Sequence, residues 1–122
     1  MARPRKWRRV CQMPDQTAFG PQNGSNDKAE IVRLTIDEYE TVRLIDQQNM
    51  TQEECALRMD VARTTVQKIY NDARYKLAKA LVEGLTLIIE GGDYQLCNGK
   101  SQYCHSSYCH RHSMKEKRVN YE

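Results

Sequence analysis

TQEECALRMDVARTTVQKIYN, residues 51–71, is the stretch on which the fold turns. Thr51 stands three residues before Glu54, the spacing at which a hydroxyl and a carboxylate reciprocally cap the first turn of a helix. Cys55, Ala56 and Met59 then form the apolar side of a short helix. A tight turn at Asp60 follows. From Ala62 onward Val66, Ile69, Ala73, Leu77, Ala80 and Leu81 recur at helical spacing up to Gly84, a residue suited to a left-handed C-terminal position. With small Ala56 where the helices approach and Val61, Val66 and Ile69 filling the wedge between them, the pair has the apolar skeleton of a helix-turn-helix. Glycine is the usual residue at such a turn; aspartate tolerates a left-handed backbone better than most others.

The residues that face outward near the start of the longer helix are Arg63, Thr64, Gln67, Lys68 and Asn71. In a major groove these side chains have defined uses: arginine reads guanine, glutamine and asparagine read adenine, and threonine and lysine bind bases or phosphates. The bland alternative is a helical hairpin whose exposed face is merely polar.

Upstream, Thr35 and Glu38 repeat the capping spacing. Ile36, Tyr39, Val42 and Ile45 then predict a first helix over about 36–47, after a short strand at 30–34. Downstream, the apolar runs 85–90 and 94–97 flank Gly91-Gly92 and predict a β-hairpin. Residues 12–29 are dominated by Pro, Gly, Asn, Asp and Ser and read as a loop. The expected fold is therefore mainly α: a three-helix helix-turn-helix domain with a short strand and a C-terminal β-hairpin. Three regions follow: a basic arm and loop over 1–29, the domain over 30–97, and a Cys/His-rich tail over 98–122, either flexible or folded on a metal.

The 122 residues suffice for one ordinary domain, and at 39% hydrophobic part of the chain must lie outside a packed core. Such a chain has little left for a walled substrate pocket, which favours a binding module over an enzyme. There is no H-E-x-x-H run, nucleophile elbow or glycine-rich phosphate loop to argue otherwise. No apolar run is long enough to cross a bilayer and no secretory signal is present, so the cytoplasm is the expected compartment.

The formal net charge of +3 hides a strong asymmetry. Arg3, Arg5, Lys6, Arg8 and Arg9 open the chain without an acid. In residues 31–61, Asp37, Glu38, Glu40, Asp46, Glu53, Glu54 and Asp60 outnumber Arg33, Arg43 and Arg58. Bases dominate again from 62 to 84, through Arg63, Lys68, Arg74, Lys76 and Lys79. Local positive charge on one surface is what phosphate-rich partners need, since binding them releases counterions. The proline-stiffened segment Arg3-Pro4-Arg5, with Lys6, suits a narrow minor groove. The competing reading of the same segment is a strand with Trp7 and Val10 facing the core.

Five cysteines and no secretion signal argue against a disulfide framework. Cys97, Cys104 and Cys109 are close enough in sequence to converge on one ion, with Cys11 as a fourth ligand from the far end of the chain. Four thiolates suit zinc or an iron–sulfur cluster, and His105, His110 and His112 allow a Cys₃His set. The alternative is a tail with no cofactor. Cys55, on the inner side of its helix, reads as an ordinary buried residue.

The runs Arg3-Pro4-Arg5-Lys6, Arg8-Arg9-Val10-Cys11, Phe19-Gly20-Pro21, Asp37-Glu38-Tyr39-Glu40-Thr41, Thr51-Gln52-Glu53-Glu54-Cys55-Ala56, Val61-Ala62-Arg63-Thr64-Thr65-Val66 and Glu90-Gly91-Gly92-Asp93-Tyr94 resemble the uncharacterised family catalogued as domain of unknown function 134. The central unit is also similar to the promoter-binding helix-turn-helix of region four in bacterial sigma factors. The resemblance implies a small prokaryotic DNA-binding protein. The functional expectation is a sequence-specific transcriptional regulator, metal- or redox-responsive through its cysteines. One unit reads few base pairs, which is consistent with a homodimer on paired half-sites of double-stranded DNA. The alternative is a metal-binding adaptor or metallocluster-handling protein whose helix-turn-helix binds protein.

Overall fold

The computed structural model describes residues 7–22 and 30–97. The elements are β1 (Arg8–Val10), β2 (Ala18–Phe19), β3 (Ile31–Leu34), α1 (Ile36–Val42), a π-helical turn (Arg43–Gln47), α2 (Gln52–Met59), α3 (Arg63–Glu83), β4 (Thr86–Ile89) and β5 (Tyr94–Leu96). About half of the described residues are helical, and the strands are numerous enough that mixed α and β describes the domain better than mainly α.

Both expected capping boxes form. Glu38 N–H donates to Thr35 Oγ1 at 3.3 Å while Thr35 N–H donates to Glu38 Oε1 at 2.9 Å. The corresponding bonds at Thr51 and Glu54 are 3.1 and 2.9 Å. Asp60 takes the left-handed conformation that the turn requires (φ 58°), and Gly84 ends α3 in the same region (φ 66°). The first helix reaches its expected end, but its last five residues widen into the π-helical turn, with Gln48 N–H donating to Arg43 O at 3.0 Å.

The strands form two sheets, and this is where expectation and structure part. β4 and β5 lie where the hairpin was expected, yet they do not pair with each other. β4 is the centre of a three-stranded sheet, antiparallel to β2 and parallel to β3, whereas β5 pairs in parallel with β1. Gly91 (φ 75°) and Gly92 (φ 103°) carry the chain from one sheet to the other instead of folding it back. The Gly91 carbonyl there accepts the Ile36 N–H at 2.9 Å, and Asp93 O accepts the Arg8 N–H at 3.2 Å. Residues 8–10 and 18–19, read as part of an arm and loop, are thus strands of the fold. Val10 is completely buried, as the strand reading of this segment requires, but Trp7 is 55% exposed and does not face the core.

Two apolar clusters lie side by side. Val10, Val32, Leu34, Ile36, Ala73, Leu85, Leu87 and Ile89 pack between the sheets and the middle of α3. Leu44, Met50, Cys55, Ala56, Met59 and Val66 pack between α2, the π-helical turn and the start of α3. α3 is the common spine, touching α1, α2, β3 and β4. No helix among the described residues is long and apolar enough to cross a membrane.

Candidate nucleic-acid interface

The first half of α3 sorts its residues by face. Val66, Ile69 and Ala73 are buried, Val66 against Cys55, Ala56 and Met59 of α2 and Ala73 in the sheet-side cluster. Arg63, Thr64, Gln67, Lys68 and Asn71 are all exposed. Across the turn, Val61 N–H donates to Ala56 O at 3.1 Å, so α3 leaves α2 in a fixed direction.

The cations of this face are only lightly engaged. Arg63 Nη1 donates to Gln52 Oε1 at 3.4 Å, and Lys68 Nζ lies 3.1 Å from Asp72 Oδ2 with both side chains largely exposed. Exposed pairs of this kind contribute about 0–1 kcal/mol, so a phosphate or base edge can replace either partner at small cost. The start of α3 adds to the positive end: its cap residue is Ala62, which has no side-chain acceptor for the first-turn N–H groups. Those donors and the helix dipole together favour an anion at this end. On the flank, Tyr70 Oη donates to Asp46 Oδ1 at 2.7 Å and Arg74 lies over the Tyr70 ring, 5.3 Å from its centroid. Burial first, then the bond to Asp46, pushes the Tyr70 hydroxyl above its ordinary value.

Of the seven acids in the acidic middle of the sequence, the three on α1 are buried, while Asp46, Glu53, Glu54 and Asp60 stay exposed. Asp37, Glu38 and Glu40 of α1 are 6%, 6% and 3% exposed, and each meets a base from another part of the network. Arg8 Nη1 is 3.6 Å from Asp37 Oδ2 and 3.2 Å from Asp93 Oδ2. Lys76 Nζ donates to Glu38 Oε1 at 2.7 Å. Arg43 binds Glu40 through Nε and Nη2 at 2.9 and 3.0 Å, and Glu40 Oε2 also accepts the Cys11 N–H at 3.1 Å. The acids of α1 are therefore spent inside the fold, where Asp37 and Glu38 dock β1 and α3 onto α1.

Arg9 was read as part of a basic run, but the structure gives it a structural task. Its Nε donates to Arg58 O at 2.9 Å and its Nη2 to Leu57 O at 3.2 Å, at the carbonyl end of α2. A cation there also complements the helix dipole. β1 is thereby tied directly to the segment that sets α3.

A family model described as "Protein of unknown function DUF134" matches residues 1–97. The chain belongs to this family. Among curated relatives, a UPF0251 protein of Desulfitobacterium hafniense (strain Y51) is 55% identical over 104 residues, covering 85% of this chain and 83% of the relative. A UPF0251 protein of Halothermothrix orenii is 47% identical, covering 79% of this chain and 71% of its own length. One from Caldanaerobacter subterraneus subsp. tengcongensis is 42% identical, covering 92% and 94%. No solved structure matches the chain.

Of the arm residues expected to touch DNA, Arg3, Arg5 and Lys6 lie outside the described residues. So do Cys104, Cys109, His105, His110 and His112 of the expected metal set. Cys11 and Cys97 are described, and the structure brings them together. The β1–β5 register pairs Val10 with Leu96, and Cys97 N–H donates to Val10 O at 2.7 Å. Among the described residues no group of three or more His, Cys, Asp or Glu is arranged to hold a metal. Cys55 is fully buried, with its thiol pushed up to about 12 by burial.

Proposed function

We propose that this protein is a sequence-specific DNA-binding protein of the transcriptional-regulator type, not an enzyme, and that it works in the bacterial cytoplasm. In this reading α2, the turn at Asp60 and α3 act as a helix-turn-helix with the start of α3 in the major groove. Arg63, Thr64, Gln67, Lys68 and Asn71 are its base- and phosphate-reading side chains. The observation that carries the reading is their joint exposure on one face of a helix start without a side-chain cap, while the neighbouring acids of α1 are turned inward. Arg3, Arg5 and Lys6, just before β1, would add minor-groove or phosphate contacts. A homodimer on paired half-sites would supply the base pairs that one unit cannot read.

Selection of bound duplexes from a random pool tests the proposal. An enriched motif is expected, and Arg63→Ala should relax preference at one base pair while costing about 1–3 kcal/mol on the enriched site. An equal loss on every sequence would make Arg63 a phosphate contact. Enrichment of no motif, with selective capture of a protein partner instead, would move the function to the adaptor reading.

A further inference from the structure

Two residues that begin helices meet at the edge of the exposed face. Gln52 is the first residue of α2 and Arg63 the first of α3. They are 11 positions apart, and the turn between the helices brings them together, with Arg63 Nη1 donating to Gln52 Oε1 at 3.4 Å. The backbone is fixed at both ends of this contact. The capping box of Thr51 and Glu54 holds the turn that contains Gln52, and the bond from Val61 N–H to Ala56 O sets the entry into α3. A long, exposed arginine side chain otherwise samples many rotamers, so an acceptor on a fixed backbone narrows the directions in which its guanidinium points. At 3.4 Å the bond is longer than an ideal N–H···O contact, and it steers Arg63 without locking it.

The chemistry of the acceptor matters as much as its place. Its neighbours Glu53 and Glu54 are carboxylates, but the group that meets Arg63 is a neutral amide. An amide orients the cation without cancelling its charge, whereas a carboxylate would also neutralise it and repel a phosphate backbone. The bond engages Nη1 and not the Nε–Nη2 edge, the edge by which Arg43 grips Glu40 in this same fold. In a major groove, the base whose two acceptors receive such a fork is guanine, through O6 and N7.

We propose that Gln52 is a positioning residue that aims the Nε–Nη2 edge of Arg63 at a guanine in the major groove. This inference rests on the DNA-binding reading and deepens it: it names the base that Arg63 reads and a residue outside α3 on which the reading depends.

The test is selection from a random duplex pool with the full wild-type chain, followed by anisotropy titration of the enriched duplex and of its single base-pair substitutions. Wild type, Gln52→Ala, Gln52→Glu, Arg63→Ala and Gln52→Ala/Arg63→Ala are compared. The wild type should prefer one G·C pair by about tenfold or more, and Arg63→Ala should lose that preference at that pair alone. Gln52→Ala should reduce the preference to about threefold at the same pair, with the other positions unchanged. The double variant should match Arg63→Ala, because nothing is left to aim. Gln52→Glu keeps an acceptor for Arg63, so it should retain the preference while binding every duplex at least about threefold more weakly at low salt. If Gln52→Ala fails to fold, Gln52→Met, which keeps the side-chain length but not the acceptor, takes its place with the same expectations. Wild-type preference in Gln52→Ala, a loss spread evenly over all positions, or additive losses in the double variant overturns the positioning role. An Arg63-dependent pair other than G·C overturns the choice of base. These outcomes leave DNA binding itself standing; a wild-type chain that enriches no motif overturns the DNA-binding reading and this inference with it.

Discussion

Arg43→Met is expected to destabilise the protein by about 3–5 kcal/mol, read as a fall in the urea midpoint. Arg43 and Glu40 are a buried pair, with side chains 7% and 3% exposed, joined by two hydrogen bonds. Burial alone would lower the Arg43 pKa, but the bond to Glu40 and its charge outweigh that and hold the guanidinium above its ordinary value. Methionine fills much of the same volume but leaves the Glu40 carboxylate facing only the Cys11 N–H and the apolar interior. The cost is that of an uncompensated buried charge, not of the pair's own net contribution. Arg43→Met/Glu40→Gln should therefore recover at least half of the loss, because the amide oxygen still accepts from Cys11 without carrying charge. A single-variant loss below about 1 kcal/mol would mean that water reaches the pair and that α1 does not depend on it.

Gly92→Ala is the second large effect, expected at about 2–4 kcal/mol from left-handed strain and overpacking together. Gly92 has φ 103°, and a Cβ there would lie 2.7 Å from Thr35 Cβ and closer still to Asp37 Oδ1. Neither neighbour can readily move: Thr35 caps α1, and Asp37 is a buried side chain beside Arg8. Gly91→Ala is the control. It also has positive φ (75°) but open space around the new methyl, so only the conformational strain remains, about 1 kcal/mol. Equal losses at the two positions in thermal unfolding would show that strain, not the close approach to α1, makes Gly92 necessary.

What could be read from the sequence was local. The two capping boxes, the left-handed Asp60 and Gly84, and the apolar sides of α2 and of the first half of α3 depend on residues within one or two helical turns and took the expected places, whereas Leu81, expected on the apolar side of α3, is 84% exposed. The five outward positions of α3 follow from the same periodicity. Strand pairing was not legible, because the partner of β5 is β1, whose residues lie 86 positions earlier in the sequence, and alternation cannot name a partner at that distance. Gly91-Gly92 suggested a hairpin for the same reason that it permits a crossover, since both need positive φ. The roles of Asp37, Glu38 and Glu40 were hidden by composition, which counts an acid without saying whether a base is folded against it. Arg9 was harder still: its acceptors are backbone carbonyls of residues 57 and 58, which carry no side-chain signature.

The central claim is that the exposed face of α3 binds duplex DNA through its bases and cations. Its most direct test is the affinity of the full chain for the selected duplex, and for a scrambled duplex of the same length, measured by fluorescence anisotropy from low to physiological salt. The account predicts tighter binding to the selected site at every salt concentration. It also predicts a slope of log K against log salt of about −3 or steeper, as release of several phosphate counterions requires. Equal affinity for the two duplexes with a slope near zero would contradict it.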